Sequence, residues 1–218
     1  MENHFYINSE DREDWNNTNP ASFRANLYKQ LNPRCIELSF AQIPNTWYNV
    51  TLKNNRIWVD DVLYTITPGS YTLNDILQAL ANSTPLTFAY NDITNKILIS
   101  GAAIFAIDFS LPFSMNKLLG FKNIFYSGAT SYLGTFGPKL YDTAVFISTN
   151  LNQGVVMTSP LKNCTFVIPV NVNKSEVVQF YSKTQFSISP KVHEINFLDI
   201  KVFDEAGDLL EGMSDWSM

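Results

Sequence analysis

Ile36, Leu38 and Phe40 alternate with Glu37, Ser39 and Ala41. A period of two sends successive side chains to opposite faces of a β-strand, so Ile36, Leu38 and Phe40 are expected to face a core. Pro44 has no N–H to donate and ends the ladder. Asn45-Thr46 suits a turn, and Trp47-Tyr48 restarts an aromatic segment. The same grammar recurs at 22–29, 56–66, 86–101, 143–149, 163–170, 176–182 and 195–203.

Residues 56–66 look like a hairpin with Asp60-Asp61 at its tip, and the clearest hairpin is 86–99, with NDITN between two apolar runs. One convincing helix spans about 72–82. Thr72 is its N-cap, Asp75 its capping-box partner, and Leu73, Ile76, Leu77 and Leu80 form one apolar stripe. Residues 110–142 lack clear alternation and are rich in Gly, Ser and aromatics. They read as a long loop with one or two helical turns at 114–119 and Gly120 at the C′ position. Near the end, Ile195 and Phe197 are apolar on one parity and Leu198, Ile200 and Val202 on the other. That slip predicts a bulge or a change of sheet. Many short strands and one helix mean an all-β fold, an antiparallel β-sandwich. The expected organisation is an N-terminal arm (1–20), a single domain (21–208) and an acidic C-terminal tail (209–218).

Composition changes the picture in one respect. Charged residues are 16% of the 218-residue chain, against about 25% in typical domains. Such a surface suits a subunit covered by neighbours. The net charge of −5 argues against a nucleic-acid backbone as partner. No apolar run reaches the roughly 18 residues of a membrane span, and the acidic first twenty residues do not read as a signal peptide, so synthesis in the cytosol is expected. Cys164 shares a face with Phe166 and Ile168 and reads as a small buried hydrophobe. Cys35 lies on the Glu37 face, and two cysteines make no disulfide framework.

Candidate chemistry is sparse. His4 and His193 are not arranged with Cys, Asp or Glu at metal-ligand spacing, and no G-x-S-x-G is present. The glycines of Gly134 to Lys139 are not spaced as a P-loop, and adjacent strand positions send Asp60 and Asp61 to opposite faces. No catalytic, metal-binding or cofactor-binding residue is assigned, and no enzymatic role is expected. The aromatics Phe125, Tyr126, Tyr132 and Phe136, with the lone tryptophans Trp15 and Trp216 of the arms, are the candidate subunit-interface residues.

Six segments carry a family resemblance: FYINSEDR, NPASFRANLYKQL, CIELSFAQIPNTWYNV, PGSYTLNDILQAL, KLLGF and FLDIKVFDEAGDLL. In this order and approximate spacing they resemble the minor capsid (penton) proteins of virophages and polinton-like viruses. The resemblance spans nearly the whole chain and implies a single jelly roll, eight strands in two four-stranded sheets. It also implies a homopentamer at icosahedral fivefold vertices, beside a double jelly-roll major capsid protein, with assembly in the host cytoplasm. It supplies no counterpart for the 110–142 loop. The rival reading is a jelly-roll receptor- or carbohydrate-binding head of tumour-necrosis-factor-like or lectin-like type.

Overall fold

The computed structural model describes residues 6–12, 19–32, 36–151, 164–182, 187–188 and 194–218. In chain order its strands are β1 (Ser22–Leu31), β2 (Ile36–Glu37), β3 (Phe40–Pro44), β4 (Arg56–Val59) and β5 (Val62–Thr65). Helix α1 (Leu73–Ser83) follows, then β6 (Thr87–Asn91), β7 (Lys96–Asp108), α2 (Asn116–Leu119), β8 (Phe125–Leu133) and β9 (Ala144–Thr149). The last strands are β10 (Phe166–Pro169), β11 (Val177–Tyr181), β12 (Ser187–Ile188) and β13 (Ile195–Phe203). Every pairing between these strands is antiparallel.

The chain forms two compact units, one from 1–47 and 142–218 and the other from 48–141. The stretch 21–208, read from the sequence as one domain, is shared between these two units. The physical reason is that the buried apolar residues gather into separate clusters, one centred on Ile43, Ile147 and Ile200 and one on Ile57, Ile99 and Leu119.

Unit 1 has two facing layers. One is the sheet β1-β13-β9-β10. The other is built on β3 and β11, and both chain ends extend it. Ser217 bridges Gln42 of β3 on one side and Asn8 on the other, and Ile7 and Met218 exchange main-chain hydrogen bonds of 2.9 Å. Counting these two end segments, each layer has four strands. That arrangement is consistent with the single jelly roll implied by the resemblance. The core between the layers takes Ile43 and Val178 from one and Val145, Ile147, Ile168, Leu198, Ile200 and Val202 from the other.

The alternation at the start of the chain is broken where the sequence suggested continuity. β2 pairs with β12, whereas β3 pairs with β11, and the two pieces are separated at Leu38-Ser39. The parity therefore restarts. Leu38 is buried as expected, but Ala41 and Ile43, not Phe40, enter the core of β3. Phe40 is half-buried against Tyr181, ring centroids 5.2 Å apart. In β13 the slip is real. Ile195 is buried, then Leu198, Ile200 and Val202, and the register with β1 shifts between Asn26 and Leu31, opposite Phe197 and Ile195.

Unit 2 is a five-stranded sheet covered on one face by helices. β7 is its spine, with β6 and the β4-β5 hairpin along one side and β8 along the other. Ile97, Ile99, Phe105 and Ile107 of β7 point to the core, where Ile76, Leu77 and Leu80 of α1 meet them. The capping box of α1 is present: the Thr72 hydroxyl accepts the Asp75 N–H at 3.2 Å and the Asp75 carboxylate accepts the Thr72 N–H at 2.9 Å. Asp60 and Asp61 have φ of 47° and 62°, the double left-handed geometry that a two-residue hairpin turn requires.

Residues 110–142 are not one long loop. They contain α2, ended by Gly120 at φ 74° as its residue type suggested, and the nine-residue strand β8. A Cβ at Gly120 would collide with the Phe136 carbonyl, which itself belongs to a residue whose N–H donates to Gly120 at 2.8 Å.

Candidate subunit interface

The sequence-selected aromatics part company in the folded chain. Tyr126 and Tyr132 of β8 face the unit 2 core. The Tyr126 ring lies 5.6 Å from Phe121, 6.0 Å from Phe109 and 5.5 Å from Tyr132. The Tyr132 hydroxyl donates to the Phe105 carbonyl at 2.9 Å and accepts the Ala129 N–H at 3.0 Å. Such edge-to-face clusters with satisfied hydroxyls stabilise a fold from within and leave little to offer a partner. Phe125 and Phe136 are different: they are 54% and 58% exposed.

Trp216 is turned inward within unit 1. It is 3% exposed, packs edge-on against Phe23 at 5.9 Å, and donates its indole N–H to the Pro20 carbonyl at 2.9 Å. The tail that carries it belongs to the unit 1 core, with Leu210 and Met213 also buried. Its entry is fixed by Ser9, whose hydroxyl donates to Asp215 and accepts the Trp216 N–H, each at 2.8 Å. Asp215 also pairs with Arg12. Trp15 lies outside the described residues, as do Cys35, His4 and His193.

Structure adds surface residues that periodicity had not selected. Leu98 alternates with the buried Ile97 and Ile99 and so points to the other face of the unit 2 sheet. There it sits between Ala89 of β6 and Leu133 of β8, its direct cross-strand partners. Phe125 lies opposite Asp108, while Ile104 on β7 and Leu63 on β5 are exposed as well. These side chains make the face away from the helices partly apolar. Of these, Leu98 and Leu133 are direct cross-strand neighbours, 37% and 53% exposed. The signal was present in the sequence: FYSGATSYL contains no charge, and Leu98 and Ile104 fall on the wrong parity for the core.

Remaining sites have limited chemistry. A cavity of about 360 Å³ in unit 1 is lined by apolar side chains such as Ile36, Leu38, Leu151 and Met218, with Glu37, Ser39 and Thr149 among its polar members. Among the described residues no three His, Cys, Asp or Glu side chains come together as a metal site. No helix among them is long and apolar enough to cross a membrane. Burial pushes the Cys164 thiol up to about 11, in spite of its contacts with the Phe166 and Ile147 carbonyls.

No protein-family model matches this sequence, and no curated protein matches it. Among solved structures, the chain is similar to the mavirus penton protein, with a TM-score of 0.46, 8% identity, and 92% of this chain and 90% of that one covered. It is also similar to a chain of the Sputnik virophage solved by electron cryo-microscopy, with a TM-score of 0.30, 13% identity, and coverage of 90% and 91%.

Proposed function

We propose that this chain is a structural virion protein: a minor capsid, or penton, protein that forms pentamers at the fivefold vertices of an icosahedral shell. Its partners are further copies of itself and a major capsid protein of the double jelly-roll type, and assembly takes place in the host cytoplasm. Nothing in this reading calls for catalysis.

The observation that carries the reading is the correspondence between the resembling segments and the elements of the fold. FYINSEDR supplies the outer segment of the second unit 1 layer, and CIELSFAQIPNTWYNV supplies β2 and β3. PGSYTLNDILQAL supplies the capped helix α1. FLDIKVFDEAGDLL supplies most of β13 and the turn in which Asp204 accepts the Ala206 and Asp208 N–H groups at 2.9 and 2.8 Å. The segments that look like a vertex protein are thus structural elements with defined partners. A low charge fraction and a partly apolar face on unit 2 fit a subunit that ends up among neighbours.

The reading is tested by co-expressing the chain with a double jelly-roll major capsid protein and sedimenting the products. The expected result is that the chain travels with closed shells at a fixed ratio to the major protein. Shells that close and sediment without it would remove the proposal.

A further inference from the structure

The edge strands of unit 2 lack the charges and prolines that commonly keep sheet edges apart. β8 (FYSGATSYL), β5 (VLYT) and β6 (TFAYN) contain no charged residue and no proline. A free edge is a row of unpaired N–H and C=O groups that recruits another strand, and monomers blunt it with lysine, proline or inward charges. Unit 1 follows that practice on the outer strands of its first sheet: β1 contains Arg24 and Lys29, and β10 contains Pro169.

β8 is the most open of the three. It is nine residues long, has only β7 as strand partner among the described residues, and buries none of its side chains fully. β6 and β8 both pair with residues 98–100 of β7, so they lie on opposite sides of it. The sheet therefore presents two unlike edges that carry neither charge nor proline.

We propose that the β8 edge of one copy pairs with the β6 edge of a second copy of this chain, continuing the unit 2 sheet from subunit to subunit. Two unlike edges allow a head-to-tail contact, which generates a ring when the rotation closes, whereas one sticky edge alone would pair with itself and stop at a dimer. Main-chain hydrogen bonds supply the contact, and exposed apolar side chains beside the edge, Phe125 and Leu133 on β8, supply burial. This inference rests on the ring assembly proposed above and names the surface that makes it.

The test uses the full chain in sedimentation velocity over a concentration series. Ser127→Lys with Thr130→Lys charges β8, and Ala89→Lys charges β6; all three positions are exposed, so melting temperatures should match the parent. The parent is expected to self-associate. Each variant alone should associate at least about tenfold more weakly, a factor equivalent to about 1.4 kcal/mol. Mixing the two variants should restore a dimer and nothing larger, because each retains the edge that the other lacks. Unchanged association in both variants would overturn the edge contact while leaving the vertex reading intact. Undiminished dimers of the Ala89→Lys chain would show β8 pairing with itself and overturn the head-to-tail contact. A parent that stays monomeric at every concentration would overturn self-pairing, and co-sedimentation with shells would then decide the vertex reading separately.

Discussion

Replacing Trp216 distinguishes a core residue from a partner anchor. The indole is 3% exposed, and truncating a buried Trp to Ala typically costs about 3–5 kcal/mol. Its edge-on contact with Phe23 accounts for about 0.5–1.5 kcal/mol of such a loss. The Pro20 carbonyl also loses its indole donor, and a buried acceptor left unsatisfied costs about 1–3 kcal/mol. Trp216→Ala should therefore fall at the upper end of the range for Trp truncation. Trp216→Phe keeps a ring against Phe23 and loses chiefly the hydrogen bond, so about 1–2 kcal/mol is expected. Urea unfolding followed by far-ultraviolet circular dichroism gives the magnitudes. Hydrogen exchange read by mass spectrometry gives the location: peptides of β9 and β13, which share the Trp216 cluster, should lose protection, and those of β7 should not. Parent-like unfolding of Trp216→Ala, combined with loss of incorporation into particles, would refute the core placement and restore the partner-anchor reading.

Three further outcomes follow from the same geometry. Ile43→Ala should cost about 2–5 kcal/mol, whereas the half-buried Phe40→Ala should cost less; the reverse order in urea midpoints would put Phe40 back in the core. Burial raises the Asp204 carboxyl above its ordinary range, so its favourable contribution is complete below the unfolded-chain pKa and is lost as pH rises through the raised value. Asp204→Asn should thus gain stability relative to the parent from acid to neutral pH, and parallel stability–pH curves would contradict this. Cys164, with its thiol at about 11, should resist alkylation at pH 8 until denaturant is added; peptide mapping that finds it modified in the folded chain would exclude the buried thiol.

Much of the fold was legible wherever local signals agree. The hairpins at 56–66 and 86–99, the capped helix and the Gly120 stop each combine a period with a terminating residue, and each forms as read. β8 was hidden for a physical reason. Its half-buried positions are Tyr126, Ala129 and Tyr132, three residues apart, because Gly128 at φ 86° and register shifts against β7 break the alternation. The C-terminal segment misled in the same way: Leu210, Met213 and Trp216 are buried at spacings of three within a sequence that looks polar. Phe40 misled because a small residue, Ala41, holds the core position beside it. The division into two units leaves no compositional trace, since the chain departs after Trp47 and returns at Asp142 without a linker-like stretch. Of the candidate interface, the aromatics were visible in sequence, but only three dimensions separate Tyr126 and Tyr132, used internally, from Phe125 and Phe136 on the surface.

Imaging of particles made from this chain and a double jelly-roll major capsid protein, reconstructed without imposed symmetry at the vertices, tests the central claim most directly. The account predicts density for five copies of this chain around each fivefold axis. Closed shells whose vertices lack it, or hold it in any other number, would contradict the account.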